Sequence, residues 1–458
     1  MDEELSLLPV GETGRVLDRL LLLEQVIGPQ RVRQALEDTG CFDSRRCRLT
    51  REVIFWVVLA MGLLTDLPIR QVFKACRRLR PGEATPHRSS LCLARQRLGL
   101  APVRRLHEQT VRLLATPQTP GAFYKGWRLM ALDGSVYNVP DSDANAAAFG
   151  RPSGPRGAGA FPQIRKLSLV EVGTHVEVAF VAKGIKEPDS GEQRLAPGLF
   201  RHLRPDMLLV WDRGFFSYVL WKWVVTQGCQ LLARVSSRLV LRPTQPLADG
   251  SYLAKMYRSS KHRRKDQDGI LLRVIEYTFH DKGRPGSGQI HRLLTTLCDA
   301  RKDPAKRLIE LYHERWEEEL AIDELKTHQK QRPVLRSQRP AGVVQEIYGL
   351  LLAHFVVRKL MFEAAAKAAV SPRQLSFVGA LKILRCRLPE VPRRLAGRRR
   401  WYQDLLSEIA EETLQPRRDR INPRVIKRKM SKWPKKRPEH RQSPQPTKKF
   451  RAALEIKC

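Results

Sequence analysis

Hydrophobic positions change their period along this chain, and the changes mark out its parts. Up to about residue 115 they recur at helical spacing, as in Leu17, Leu20, Leu21 and Val26. The run Glu52–Leu64 follows Thr50, a residue suited to cap a helix N-terminus. Ser89-Ser90 precede a short basic helix, LCLARQRLGL, that ends at Gly99. Arg and Gln on one face of such a helix suit a DNA groove, and suit a solvated surface equally well. From Trp127 the grammar becomes that of strands. RLMALD is an apolar run ending in Asp133, with Gly134-Ser135 predicted to form a tight turn after it. A stretch rich in Ala, Gly and Pro from Pro140 to about Pro162 predicts a loop. KLSLVEV and HVEVAFVAKG alternate with period two and predict paired strands.

MLLVWD is a second apolar run ending in an acid, Asp212, followed by Arg213-Gly214-Phe215. SYVLWKWVVTQG then predicts a helix closed by Gly228. Strand-like runs return over about 230–300, interrupted by the basic segment KHRRKDQDG. Pro304–Lys326 and Gly342–Ala366 read as helices. Strands mixed with helices make this an α/β chain. Its 458 residues exceed one ordinary core. The expected divisions are a helical N-terminal, DNA-binding domain over 1–115, a catalytic domain over 116–415 and a tail over 416–458. In that tail sixteen Lys and Arg stand against three acids, and prolines interrupt it, so it is expected to be extended and ordered by DNA if at all.

Charge narrows the partner. The chain carries 83 Lys and Arg against 47 Asp and Glu, a formal net charge of +36, and such a field attracts polyanions. Packing onto nucleic acid by charge alone is the bland alternative, but 42% hydrophobic residues allow real cores. The apolar run near Ile54–Leu64 is too short to span a bilayer, so no membrane partner is expected. Eight scattered cysteines form no CxxC pair, which argues against zinc and against a disulfide framework. The acidic N-terminus carries no signal-peptide pattern, and the expected location is a reducing cytoplasm.

The candidate chemistry lies in acids. A buried strand would deliver Asp133 and Asp212 at its carboxyl end, where open α/β sheets place their sites. Neighbouring strands lie about 5 Å apart, so two such acids could share a cation. A lone Asp-Gly is more often only a turn. In LIELYHERWEEELAIDELKTHQ a continuous helix would set Tyr312, Arg315, Glu319 and Lys326 within about 60° of one another. That stripe suits phosphates and metal ions, although ion pairs on a surface helix would produce it too. Asp323 shares the face and rivals Glu319. Carboxylates on separate elements suit hard cations such as Mg²⁺ or Mn²⁺, and a pair of such ions acts on phosphodiesters.

Tyr312, Arg315, Glu319 and Lys326 also match in full the signature Y-x2-R-x3-E-x6-K. With Asp-Gly-Ser at 133–135 and Asp-Arg-Gly-Phe at 212–215, the chain resembles a bacterial DDE transposase of the insertion-element-four family over roughly residues 10–430. The resemblance implies a ribonuclease-H-like core with a β-rich insertion at about 230–300. It implies Asp133, Asp212 and Glu319 as catalytic ligands of two Mg²⁺ ions, with Glu319 preferred over Asp323. It implies Tyr312, Arg315 and Lys326, and with them Arg213, as DNA-binding residues. The implied reaction is cut-and-paste transposition: cleavage of double-stranded DNA at terminal inverted repeats and joining to a target by a homodimer in a synaptic complex. An inactive DNA-binding descendant and a nuclease that cuts without joining are the alternatives. In the family an aromatic residue of the insertion holds a flipped base, and Tyr252, Tyr257 and Tyr277 are the candidates here.

Overall fold

The computed structural model describes residues 17–43, 47–78, 84–154, 157–236, 239, 241–283, 286–314, 316–414, 447–448 and 450–456. Helices come first: α1 (Leu21–Ile27), α2 (Pro29–Glu37), α3 (Arg51–Leu63), α4 (Ile69–Ala75), α5 (Arg88–Leu98) and α6 (Ala101–Thr110). Thr50 caps α3 as expected, its side chain accepting the Val53 N–H. Strands β1 (Phe123–Tyr124) and β2 (Trp127–Asn138) follow, then α7 (Asp143–Phe149), the two-residue strands β3 (Ser153–Gly154) and β4 (Gly157–Ala158), β5 (Gln163–Glu171) and β6 (Val176–Gly184). After two single-turn helices come β7 (Met207–Trp211), α8 (Tyr218–Thr226), β8 (Gln230–Val235), β9 (Pro243–Pro246), β10 (Tyr252–Met256), α9 (Ser260–Arg264), β11 (Ile270–Phe279) and β12 (His291–Thr295). The chain then forms α10 (Ala305–His313), α11 (Trp316–Asp323), a π-helical turn (Glu324–Gln329), α12 (Pro340–Lys367), α13 (Phe377–Arg387), α14 (Leu395–Glu411) and β13 (Leu454–Ile456).

Two compact units share the chain. Of the described residues, unit one takes those up to Phe123, Asp133–Leu199 and Glu317–Thr413; unit two takes Tyr124–Leu132, Phe200–Trp316 and those from Leu414 on. The N-terminal helices are therefore not a body of their own. Leu22, Phe55, Trp56 and Phe73 share one core with Phe355, Leu360, Leu381 and Leu405 of α12–α14. The helices α3 and α12 cross where Gly62 meets Gly349. Among the described residues α12 is the one helix long and apolar enough to cross a membrane, and most of it is buried inside this unit. Beside these helices β5 and β6 pair as an antiparallel hairpin, with β5 next to β2.

In unit two the strand order is β2-β7-β8-β12-β11-β10-β9, with β13 on β11. The first three are parallel and the rest antiparallel, so the β-rich region begins with a strand of the parallel core, β8. All five residues of β7 are buried, as a central parallel strand requires. Thr447 and Lys448 donate backbone N–H groups to Asp281 at 2.9 and 3.4 Å, and β13 pairs with Tyr277–Phe279. Residues 450–456 are thus ordered by pairing within unit two and not by DNA; residues 415–446 lie outside the described residues.

Three local expectations are corrected. Asp133-Gly134 is no turn, because β2 runs on to Asn138; Ser135 and Tyr137 are buried while Val136 and Asn138 are half-exposed, so period two continues past the acid. The stretch 140–162 contains α7. Ser142 caps it by accepting the Asn145 N–H, its Ala run favours helix, and Gly150 ends it at φ 68°. The helix expected over Pro304–Lys326 ends at His313, restarts at Trp316 and turns π-helical at Glu324.

Candidate active site

Asp212 follows the last residue of β7. Its φ and ψ are −86° and 178°, and its Oδ1 accepts the Gly214 N–H at 2.7 Å, which caps the turn Arg213–Phe215. A Cβ on Gly214 would stand 2.9 Å from that oxygen, so glycine lets the turn close on the carboxylate. Below it, buried Trp211 stacks on Phe215 at 6.0 Å and meets Trp221 edge-on at 6.1 Å. This aromatic floor gives the acid a rigid support. Arg213 points away from that core and is exposed.

Asp133 is half-buried and accepts the N–H of Gly134 at 2.8 Å. The last register pair of β2 with β7 is Ala131 with Val210, so each aspartate stands two residues beyond a member of that pair. A Cβ on Gly134 would lie 2.1 Å from Oε1 of Glu192, so the missing side chain makes room for another carboxylate. No spacing in the sequence pointed to Glu192.

Glu319 is half-buried on α11. Its segment is held from within unit one by buried charges that the sequence reading missed. His175 places Nε2 at 3.0 Å from Glu317 and Nδ1 at 2.9 Å from Glu324. Glu324 also meets Arg358, whose Nε donates at 2.9 Å, and His354 at 3.3 Å. Burial alone would raise the Glu324 carboxyl, yet Arg358 and His175 hold it well below the usual range. His175 ends the β5–β6 turn at φ 59°, a left-handed conformation that a non-glycine residue adopts at a cost. A neighbouring pair, Lys166 and Glu177, is wholly buried, with Ser168 donating to Glu177 at 2.7 Å. Desolvation opposes both charges, but their attraction leaves Lys166 above and Glu177 below their ordinary values. These groups lie far apart in sequence, on strands, helices and the turns between them, so no local motif announces them.

The continuous helix on which the single stripe was expected is interrupted. Tyr312 ends up 6% exposed, its ring edge-on to His313 at 5.9 Å. Lys326 is exposed but sits in the π-helical turn, where the Lys330 backbone N–H donates to the Leu325 carbonyl five residues back at 3.0 Å. The wider turn breaks the 100° step on which the stripe rested. Arg315 lies outside the described residues. The rival Asp323 is paired with His328 at 3.2 Å. Tyr277 is 1% exposed in a cluster with Phe279 and His291, and Tyr257 and Tyr252 direct their hydroxyls to Asp266 and Glu276. Among the described residues no three His, Cys, Asp or Glu side chains are gathered to hold a metal ion. Asp133 and Glu319 belong to unit one and Asp212 to unit two. The donor chemistry of the three, oxygen only, fits a hard divalent cation.

Two family models match the chain in separate stretches. Residues 17–108 match the family described as Insertion element 4 transposase N-terminal, and residues 125–356 match the Transposase DDE domain. The transposase InsG for insertion sequence element IS4 of Escherichia coli (strain K12) is 29% identical over 426 residues, 91% of this chain and 93% of its own. A cryo-EM structure of a piggyBac transposase synaptic complex with hairpin DNA covers 88% of this chain and 87% of its own, at 13% identity and a TM-score of 0.40. The mixed sheet fits the ribonuclease-H-like α/β core expected with a DDE domain. The DDE match alone takes in just over half of the residues, and with the N-terminal match it makes this chain a member of the insertion-element-4 family of DDE transposases.

Proposed function

We propose that this transposase cuts double-stranded DNA at the terminal inverted repeats of its own element and joins the ends to target DNA, acting as a homodimer in a synaptic complex. The observation that carries the reading is the placement of Asp133 and Asp212, each two residues beyond the last pair of parallel strands β2 and β7. Carboxyl ends of parallel strands are where α/β sheets concentrate their chemistry. In this reading Asp133, Asp212 and Glu319 hold two Mg²⁺ or Mn²⁺ ions, which supply positive charge to the attacking and leaving oxygens of the phosphodiester. The Asp212 turn keeps its carboxylate fixed through Gly214, and the His175–Glu324 network holds the segment that bears Glu319. Arg213 and Lys326, both exposed, contribute contacts to DNA phosphates together with Arg315 and Tyr312.

Nicking of an element-end duplex tests the assignment. Asp133→Asn, Asp212→Asn and Glu319→Gln should each abolish metal-dependent nicking while leaving DNA binding within about threefold, because each removes a ligand charge at nearly constant shape. Normal nicking by any of them would remove that residue from the site. Joining of pre-cut ends to a plasmid separates a transposase from a nuclease that only cuts.

A further inference from the structure

The basic interruption between β10 and β11 has a built shape. Arg258, Lys261, Arg263, Arg264 and Lys265 are all exposed, and among the described residues none of the five has an ion-pair partner. Two aspartates pin the loop that carries them. Asp266 accepts from Lys255 at 2.7 Å and from the Tyr257 hydroxyl; Asp268 accepts from Tyr218 at 2.8 Å and from Lys222. Both aspartates are left-handed, with φ 44° and 57°. Such φ values suit Asp better than most residues. The side chain of Ser259 caps the short helix α9 within the loop by accepting the His262 N–H.

The pinning has a consequence for charge. The only acids in the loop are engaged with Lys255 and Lys222 from β10 and α8, outside it. They hold the loop's conformation without neutralising its five cations, which repel one another. A fold that fixes like charges in this way is explained by a polyanion that meets them. From 258 to 268 the sequence RSSKHRRKDQD has no apolar side chain. Protein interfaces have apolar centres depleted in Lys, whereas DNA interfaces are polar and strongly positive. Duplex DNA presents one phosphate charge per ~1.7 Å of axis, dense enough to engage several of these cations at once. We propose that the pinned loop 258–265 is a docking surface for the phosphate backbone of duplex DNA, holding it without reading its sequence. This goes beyond the assignment of the acids and rests only on the transposase acting on DNA.

The test uses the full chain with Lys261, Arg263, Arg264 and Lys265 all replaced by Gln. Binding to a random-sequence duplex is followed by fluorescence anisotropy across a salt series. Affinity should fall on the order of tenfold, and the slope of log affinity against log salt should shrink by about 3. The single changes Arg263→Gln and Arg264→Gln should each shrink it by about 1. Because the residues are exposed, circular dichroism should match wild type; if the fourfold variant misfolds, the single variants decide. Asp266→Asn with Asp268→Asn keeps every cation and loosens the pins, so affinity should fall severalfold with less change in slope. Unchanged DNA affinity and slope in the glutamine variants would overturn the proposal, as would loss of polyglutamate binding alone. Asp133→Asn serves as the separating control: it should keep the wild-type slope while losing cleavage, so failure of the loop proposal and failure of the active-site reading give different results.

Discussion

Glu24 shows at the scale of one residue what burial does to an acid. It lies in α1, 8% exposed, and its Oε1 is buried without a hydrogen-bond partner. Desolvation pushes its carboxyl up to about 7, against the pull of Arg398. A folded-state value raised above the unfolded one means that the group's contribution to stability is complete below about 4.5 and is lost as pH rises through about 7. At ~1.4 kcal/mol per pH unit the loss approaches about 3 kcal/mol. Glu24→Gln, neutral at every pH, should therefore raise the melting temperature at pH above 7 and leave it nearly unchanged in acid. Parallel melting curves for the two proteins across this range would show no convergence in acid if Glu24 is not the cause. Glu324 has the opposite sign, with Arg358 and His175 holding it ionised, so its contribution is lost only as acid protonates it.

At the scale of elements the decisive contact in unit one is the crossing of α3 and α12. A Cβ on Gly62 would fall 2.1 Å from the Gly349 carbonyl oxygen, and one on Gly349 would fall 2.6 Å from that of Val58. The obstacles are backbone atoms of buried helices, so neither can move aside locally. Gly62→Ala and Gly349→Ala should each destabilise the fold by on the order of 1–3 kcal/mol through overpacking, even though alanine is the better helix former. Urea denaturation measures this, and a gain in stability in either variant would mean that the helices do not cross so closely. The segment 305–329 teaches a related lesson. Its sequence favours one helix, but buried Glu324 and Gln329 make their own demands; Gln329 donates to Gly62 O at 2.9 Å and Leu350 O at 2.8 Å. Those tertiary bonds accompany the π-turn that local propensity does not foresee.

For the whole molecule, charge dominates. A net charge of +36 makes the folded chain repel itself, and salt screens exposed charges far more than buried pairs such as Lys166–Glu177. Moderate sodium chloride should therefore raise the melting temperature by a few degrees while weakening DNA binding. Scanning calorimetry over a salt series, paired with anisotropy on a duplex, follows both. A melting temperature that falls with salt would show that exposed ion pairs, such as Arg387–Glu408 at 2.6 Å, outweigh the net repulsion.

Much of this protein was legible because its signals are local. Period-two and period-3.6 patterns located the strands and most of the helices, Thr50 announced its cap, and the spacing of Tyr312, Arg315, Glu319 and Lys326 with the two Asp motifs identified the family. Charge pointed to a polyanion before any fold was known. What depended on distant partners was not legible. Continuation of β2 past Asp133 accompanies pairing with β5, a strand some thirty residues on. The joining of the N-terminal helices to α12–α14 in one core depends on faces whose partners lie hundreds of residues away. The buried set of His175, Glu324, His354 and Arg358 reads in sequence as scattered polar residues, since only desolvation and mutual pairing turn them into a structure. The chain by itself determined element types, sign of charge and family, because those follow from neighbours in sequence. Tertiary structure decided where the helices break, which charges are buried and which cations stay free, because those follow from contacts that only the folded chain makes.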